Sequence, residues 1–333
     1  MNDKHNNFLR KVSIGILLPV LLVCVVVLMA QSMSHGQNQV PEQPQGTEPE
    51  PMDFALNVIF GEEIRVMDLD TYLTGVVLGE MPASFEMDAL RSQAVAARTY
   101  TLKRCMDGQR HGKNTICTDH TCCQAYTEPN SYMAAGGSES SVLRVQQAVM
   151  DTSGEVLVYD GELIVATYFA CAGDVTEDAV AVWGQDYPYL QSVPSPGEEE
   201  ASYYTDSKTF TAEQFQKALG IRLEGAVDQW FGQLTYTNGG GVETMYVCGI
   251  PYRGTTLRTL LDLRSTAFTV SVYNGQITFQ TKGFGHRVGM SQYGANAMAK
   301  TGKNYREILT YYYTGVEIVQ YIDENGKTQE NFS

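Results

Sequence analysis

The chain has 333 residues, which suffices for one large domain or two modest ones. Its formal net charge is −15, with 23 Lys and Arg residues against 38 Asp and Glu residues. This acidic balance argues against nucleic acid as the main partner, because contacts to phosphates require clustered Lys and Arg side chains.

The N-terminal segment predicts a membrane anchor. Basic residues in the leader 1–11 precede an uncharged apolar run at 12–30, and its length fits the roughly 20 residues that span a bilayer. A secretory signal peptide cut after Ala30 is the alternative, but the run exceeds a typical signal core and no small-x-small pattern closes it. Because basic residues stay on the inner side, we expect a single-pass protein with a cytoplasmic N-terminus and its domain outside the cell membrane.

The segment after this run predicts a tether. Residues 31–52 are rich in Gln, Pro, Glu and Ser and nearly free of large apolar side chains, which is typical of a disordered linker. The domain is expected at 53–325. Its first element is a strand at 57–64, where apolar residues alternate loosely.

The stretch at 69–104 predicts two helices with a hinge between them. Asp70 suits the N-cap of the first helix, which should end near Glu80 because Pro82 disfavours helical geometry at the residue before it. Ser84 suits the N-cap of the second helix. A carboxyl at such a hinge, in a mostly apolar run, tends to have a raised pKa, which a general acid needs. A salt-bridged or solvated carboxylate at a helix end is the alternative.

A short segment at 111–123 is dense in metal-ligating side chains. It contains His111, Cys117, His120, Cys122 and Cys123. Sulfur and imidazole ligands this close together suit a tetrahedral zinc ion. Disulfides are the alternative, because the outer side of a membrane is often oxidising.

The middle of the chain predicts a helix and a hairpin. The helix is expected at 139–147. Strands at 156–159 and 163–169 are expected to pair through the turn Asp160-Gly161, because this dipeptide favours a two-residue hairpin loop.

The remainder predicts a smaller lobe inserted at about 196–263. Within this lobe Thr211 and Gly220 mark the start and the end of a short helix. A second hairpin is expected around the turn Asn274-Gly275. Together these elements predict an α+β fold with a mixed core of helices and antiparallel hairpins.

Three runs of sequence carry a resemblance to a known family. They read YLTGVVLGEMPASFEMDALRSQAVAARTY, VTEDAVAVWGQDYPYLQ and GFGHRVGMSQYGA. With these runs the chain resembles the stage II sporulation protein D family of lytic transglycosylases over about 54–318. Two departures stand out. Gln191 occupies a position where many relatives have Lys or Arg, and Arg287 replaces a usual glycine.

The resemblance implies which residues form the site. Glu80, the glutamate before Met-Pro, matches the family's catalytic acid. The side chains expected to bind substrate are Arg98, Tyr189, Gln191, His286, Ser291, Gln292 and Tyr293. Bracing the fold is the open alternative for Arg98, and a structural role is the alternative for His286. For Ser291, Gln292 and Tyr293 the alternative is capping and bracing of a helix at 290–300. The implied ligands of a structural zinc ion are His111, Cys117, Cys122 and Cys123, with His120 as a spare.

The resemblance also implies an activity and partners. The expected substrate is peptidoglycan, cut between N-acetylmuramic acid and N-acetylglucosamine on peptide-stripped strands, with 1,6-anhydro ends as products during sporulation engulfment. Zinc is not needed for that chemistry. The implied partners are a sporulation amidase or endopeptidase and a membrane protein of the engulfment complex. A non-catalytic enhancer of wall amidases or a glycan-binding module is the alternative. A zinc hydrolase is weaker, because a site closed by four protein ligands leaves no position for water.

Overall fold

The computed structural model describes residues 55–321. The predicted anchor at 12–30 and the predicted tether at 31–52 lie outside this part of the chain. Within residues 55–321, no helix is both long enough and apolar enough to cross a membrane.

Helices and short strands alternate along the described chain. The helices are α1 (Leu69–Glu80), α2 (Met87–Asp107), α3 (Pro129–Ala134), α4 (Glu139–Met150), α5 (Ala179–Trp183), α6 (Ala212–Leu219), α7 (Gly254–Leu260), α8 (Gln292–Lys300) and α9 (Tyr305–Tyr312). The strands are β1 (Ala55–Phe60), β2 (Glu63–Asp68), β3 (Thr115–Cys117), β4 (Glu155–Tyr159), β5 (Glu162–Leu163), β6 (Tyr168–Phe169), β7 (Asp174–Val175), β8 (Pro194–Ser195), β9 (Thr205–Thr211), β10 (Phe231–Tyr236), β11 (Val242–Val247), β12 (Ile250–Arg253), β13 (Phe268–Tyr273), β14 (Gln276–Lys282), β15 (Met290–Ser291) and β16 (Glu317–Gln320). This mixture confirms the predicted α+β class.

The main core is built around α2, which packs against α1, α4, α8, α9 and β4. Its central residues Ala94, Val95, Ala96 and Ala97 are all fully buried, so the helix is enclosed on every side. Small side chains allow the neighbouring helices to approach closely.

The hinge before α2 forms as predicted. α1 ends at Glu80, and Met81 is extended with φ −133° and ψ 139°, as expected for a residue before proline. The predicted caps were wrong by a few residues. Asp68 caps α1, and Glu86 occupies the cap position of α2 without a side-chain hydrogen bond.

Two predicted strands are interrupted. The predicted strand at 57–64 is a hairpin of β1 and β2, because Gly61 turns the chain with φ +61°. The Asp160-Gly161 turn joins β4 to β5, as predicted. The chain then leaves that sheet after Leu163, and β6 pairs in parallel with β15 instead. This pairing, with a parallel bridge between Glu177 and Val288, brings the second and third matching runs together.

A second hydrophobic core lies within the chain from β9 to β14. It contains Phe215, Trp230, Met245, Leu257 and Phe279, which are all buried. Two three-stranded sheets, β10–β11–β12 and β13–β14–β9, enclose it together with α6 and α7. The second lobe is therefore larger than the predicted 196–263, because the hairpin β13–β14 supplies part of this core.

The local signals inside the second lobe are confirmed. Thr211 forms a capping box with Gln214, and Gly220 closes α6 in the left-handed conformation at φ 69°. Asn274 and Gly275 form the turn between β13 and β14. These signals depend only on neighbouring residues, which is why a sequence reveals them.

Candidate active site

A cleft of about 630 Å³ opens beside the hinge. Its wall is formed by the end of α1, the loop that follows β3, the turn before β15 and the start of α8, with α7 of the second lobe contributing one side chain. The volume falls in the range of small-molecule sites, which is roughly 300–1,000 Å³.

Glu80 lies in this cleft and is held by two hydrogen bonds. The Ala125 backbone N–H donates to Oε1 at 2.7 Å, and the Gln292 side-chain amide donates to Oε2 at 3.3 Å. Burial raises the pKa of the Glu80 carboxyl, although both hydrogen bonds act in the opposite direction. Among the described residues that line the cleft, Glu80 is the only one with a carboxylate. The arrangement can therefore store one proton for transfer.

Glu177, an acidic residue in the second matching run, has a different role. It is buried and forms an ion pair with Arg287 at 3.2 Å, and it accepts hydrogen bonds from Thr237 and the Gly241 N–H. It does not line the cleft. Arg287 has φ +67°, in the left-handed region that its family counterpart glycine favours, and its guanidinium also donates to three backbone carbonyls. This pair ties the second lobe to the main body.

His286 lines the cleft as a neutral ring. Burial and the positive charge of Arg258 lower the pKa of His286 to about 4. The Val288 N–H donates to Nδ1 at 3.1 Å, so the ring carries its proton on Nε2. The rings of Trp183 and Phe169 lie 5.4 and 5.6 Å away and fix its orientation. His286 can therefore donate a hydrogen bond but cannot supply a charge near neutral pH.

Some side chains at the start of α8 line the cleft, and others lie in the core. Gln292 and Tyr293 line the cleft. Ser291 does not, because its hydroxyl donates to Glu198 at 2.6 Å and accepts from the Gly294 N–H at 3.2 Å. The prediction that Ser291 binds substrate is therefore wrong, and its bracing role is confirmed.

Arg98 is not available to a substrate either. Its side chain is 0% exposed and forms an ion pair with Asp70 at 3.1 Å. It also donates to the backbone carbonyls of Val149, Thr152 and Glu155. The substrate-binding prediction for Arg98 is wrong because these groups occupy its guanidinium inside the core.

Tyr189 and Gln191 lie apart from the cleft. The Tyr189 hydroxyl accepts a hydrogen bond from the Val165 N–H at 3.1 Å, and its ring lines another cavity, of about 520 Å³, that does not include Glu80. The Gln191 amide donates to the carbonyl of Tyr187 at 3.3 Å. Neither residue therefore lines the cleft that contains Glu80, although the family pattern places both near substrate.

Sequence reasoning missed an aromatic wall of the cleft. Tyr203 and Phe284 are each 37% exposed, and their ring centroids lie 5.2 Å apart. The Arg264 guanidinium lies over both rings. Phe284 could have been found, because it stands between two glycines of a matching run. Tyr203 follows a short acidic run at 198–200, where no pattern marks it.

The predicted metal ligands come together. The ligand atoms of His111, Cys117, Cys122 and Cys123 all lie within 4.8 Å of one another. His111 Nε2 is 3.3 Å from Cys122 Sγ, and the sulfurs of Cys122 and Cys123 are 4.0 Å apart. Two sulfurs bound at about 2.3 Å to a tetrahedral zinc ion lie about 3.8 Å apart, so the cluster fits zinc.

The alternatives for this segment do not match the geometry. The His120 side chain is 77% exposed and lies outside the cluster, on the wall of the cleft. The six cysteines within residues 55–321 are all free, so the described chain contains no disulfide.

The loop at 117–125, which contains three of the predicted metal ligands, leads directly to Glu80. Cys123 is followed by Gln124, whose amide accepts a hydrogen bond from the Tyr168 hydroxyl at 2.7 Å and donates to Thr101 at 2.8 Å. The next residue, Ala125, supplies the N–H that holds Glu80 Oε1. The conformation of this loop therefore sets the position of the carboxyl.

Comparison with known proteins points to one family. A family described as "Stage II sporulation protein" matches residues 61–159. The chain is 33% identical to stage II sporulation protein D of Bacillus amyloliquefaciens, over 91% of this chain and 93% of that protein. It is 37% identical to stage II sporulation protein D of Bacillus subtilis (strain 168), over 77% and 76%. An amidase enhancer of Bacillus subtilis is 28% identical over 75% of this chain and 40% of that protein. The chain therefore belongs to the stage II sporulation protein D family of sporulation proteins.

Proposed function

We propose that this protein is a peptidoglycan lytic transglycosylase in which Glu80 acts first as acid and then as base. The observation that carries the proposal is a single buried carboxyl, with a raised pKa, in a cleft whose other described lining residues have no carboxylate. Ordinary glycosidases use two carboxylates, so a water-dependent cut of the usual kind lacks its second group.

The reaction proceeds without water. Protonated Glu80 gives its proton to the glycosidic oxygen as the bond to C1 of muramic acid breaks. The Glu80 carboxylate then takes the proton of the C6 hydroxyl, whose oxygen forms a new bond to C1. The product is a 1,6-anhydro end, and the carboxyl is protonated again.

The two oxygens of Glu80 have separate tasks. Oε1 receives the short hydrogen bond from the Ala125 N–H, which fixes the carboxyl. Oε2 receives only the longer bond from Gln292, so we assign the mobile proton to Oε2. A carboxyl held in this way needs little reorganisation during transfer, which favours general acid–base catalysis.

The remaining lining residues suit a sugar chain. Tyr203 and Phe284 offer flat, exposed aromatic faces, and apolar rings with a few polar groups are typical of ligand clefts. Neutral His286, Gln292 and Tyr293 supply hydrogen-bonding groups next to them. We expect these side chains to hold the glycan without adding charge.

A second candidate function is enhancement of a wall amidase. It is favoured by the likeness to the amidase enhancer. Incubation of the full chain with peptide-free glycan strands separates the two functions. A transglycosylase releases 1,6-anhydro ends by itself. An enhancer releases none, but speeds the removal of stem peptides when a purified wall amidase is present.

We also propose that the cluster of His111 and three cysteines binds a structural zinc ion. Zinc would be held by the imidazole of His111 and the thiolates of Cys117, Cys122 and Cys123, with Arg110 donating to the Cys122 carbonyl at 2.6 Å. With four protein ligands the metal contributes folding energy, while proton transfer stays with Glu80.

Removal of the metal is expected to destabilise the protein. A chelator at neutral pH should lower Tm by about 5–10 °C, because metal-binding energy is folding energy for such a loop. Cleavage should fall as well, because the loop continues to Ala125, whose N–H holds the carboxyl of Glu80. Cys122→Ser should reproduce both effects. Cys248→Ser, at an exposed cysteine outside the cluster, is the matched control. Absence of bound metal by elemental analysis, with no change in Tm on chelation, would contradict the proposal.

We further propose that the protein is anchored in the cell membrane by the run at 12–30 and acts outside it, together with a sporulation amidase or endopeptidase and a membrane protein of the engulfment complex. Protease added to intact protoplasts is expected to digest the chain after the anchor. Immunoblotting against the C-terminal region checks the result. Protection of that region in intact protoplasts, with digestion only after lysis, is the result that contradicts this topology.

A further inference from the structure

One arginine lines the cleft, and its Nε has no hydrogen-bond partner among the described residues. Arg258 comes from α7 of the second lobe and lines the cleft beside His286. Its Nε is buried without a hydrogen-bond partner among residues 55–321, and no acidic side chain there forms an ion pair with it. Asp262, whose charge acts on Arg258, is itself paired with Lys208 at 2.8 Å.

Two of the other arginines with a buried Nε are bonded through their remaining nitrogens, and the third, Arg104, lies over the ring of Tyr100. Arg98 binds Asp70 and three carbonyls, and Arg144 donates to the carbonyl of Phe85 at 2.7 Å. The Arg287 guanidinium, also buried, is paired with Glu177. The Arg258 side chain is half-buried, and an anionic ligand in the cleft would offset the cost of its buried, unpartnered Nε through charge-assisted hydrogen bonds.

The sugar part of the proposed substrate carries an anion only in one chemical state. Its sugars are neutral except for the lactyl group of muramic acid, whose carboxyl is joined as an amide to the stem peptide. Once the peptide has been removed, this group is a free carboxylate. A planar guanidinium matches a carboxylate with two parallel hydrogen bonds, and it gains no such pair from an amide.

We propose that Arg258 binds the lactyl carboxylate of muramic acid and thereby makes the enzyme prefer glycan strands from which the stem peptides have been removed. The inference rests on the proposed function. It assigns a specificity role to the second lobe, because α7 carries the only cation, apart from any charge on a histidine, among the described residues that line the cleft.

The test compares two glycan probes on the full-length protein. One probe is peptide-free strands with free lactyl carboxylates, and the other is the same strands with these groups converted to methylamides. Both kcat/KM for release of anhydro ends and Kd are measured. The wild-type protein should prefer the carboxylate strands by about 10- to 100-fold, the value of one charged hydrogen-bonded pair. Arg258→Gln should lose this preference. Its kcat/KM and Kd for both probes should match the wild-type values for the methylamide strands.

Controls separate the possible outcomes. Arg222→Gln removes an exposed cation of the same lobe outside the cleft and should keep the preference. Arg258→Lys keeps the charge without the paired geometry and should retain part of the preference.

A wild-type protein that cuts both probes equally overturns the inference, and this comparison needs no variant. A preference that survives in folded Arg258→Gln also overturns it. If Kd shows the Arg258-dependent preference but no anhydro ends form, the inference stands and the proposed reaction fails.

Discussion

Replacement of Glu80 by glutamine is expected to reduce release of anhydro ends by at least about 10²- to 10⁴-fold, the loss typical of a general acid–base group. Glutamine keeps the shape of the side chain and can still accept the hydrogen bond from the Ala125 N–H. It cannot donate the proton. Folding and glycan binding should therefore persist, which circular dichroism and binding to peptide-free strands will check. Glu80→Asp should also be weak, because the shorter side chain withdraws the carboxyl from the substrate.

Asp178→Asn is the matched control for this prediction. Asp178 accepts from the Ser192 N–H at 2.5 Å and lies outside the cleft, so its loss should leave cleavage largely intact. The wild-type rate should fall as pH rises through the raised pKa of Glu80, because only the protonated form can act as the acid. Retention of substantial activity in Glu80→Gln would show that another group supplies the proton.

Replacement of Arg98 by methionine should lower the free energy of unfolding by about 3–5 kcal/mol, the usual effect of removing one partner of a buried ion pair. This is a large share of a total that is typically about 5–15 kcal/mol. The variant removes the ion pair of Asp70, which stays buried, and leaves three backbone carbonyls without their donor. Urea unfolding of the full chain measures the change.

The double variant Asp70→Asn with Arg98→Met tests the physical cause. Because both charges are gone, it should be more stable than Arg98→Met alone. KM for glycan should stay near the wild-type value at temperatures well below Tm, since Arg98 does not reach the cleft. A large rise in KM with unchanged stability would restore the substrate-binding role.

The hinge that carries Glu80 could be predicted from local chemistry. The end of α1 at Glu80 follows from the constraint that Pro82 places on the preceding residue. Burial of Glu80 could be anticipated from the apolar run around it. The clustering of His111 with three cysteines could also be predicted, because these residues lie close together in the sequence and the structure brings their side-chain atoms together.

Other parts of the site depend on pairings that no local pattern encodes. Arg258 reaches the cleft only because the second lobe folds as a separate core and places α7 beside the main body. Tyr203 comes from the chain just before β9 and reaches the cleft by packing against Phe284. Arg98 and Ser291 belong to specific motifs, yet their partners Asp70 and Glu198 keep them in the interior. A motif identifies residues that matter, but it does not say whether they face substrate or the core.

The central claim is that one carboxyl performs both proton transfers without water. Its most direct test is digestion of peptide-free glycan strands by the full chain in water enriched in heavy oxygen, followed by mass spectrometry of the new ends. We predict muramic acid ends that are lighter than a reducing end by one water molecule and carry no heavy oxygen, and that depend on Glu80. Reducing ends labelled with heavy oxygen would identify a hydrolase and contradict the one-carboxyl mechanism.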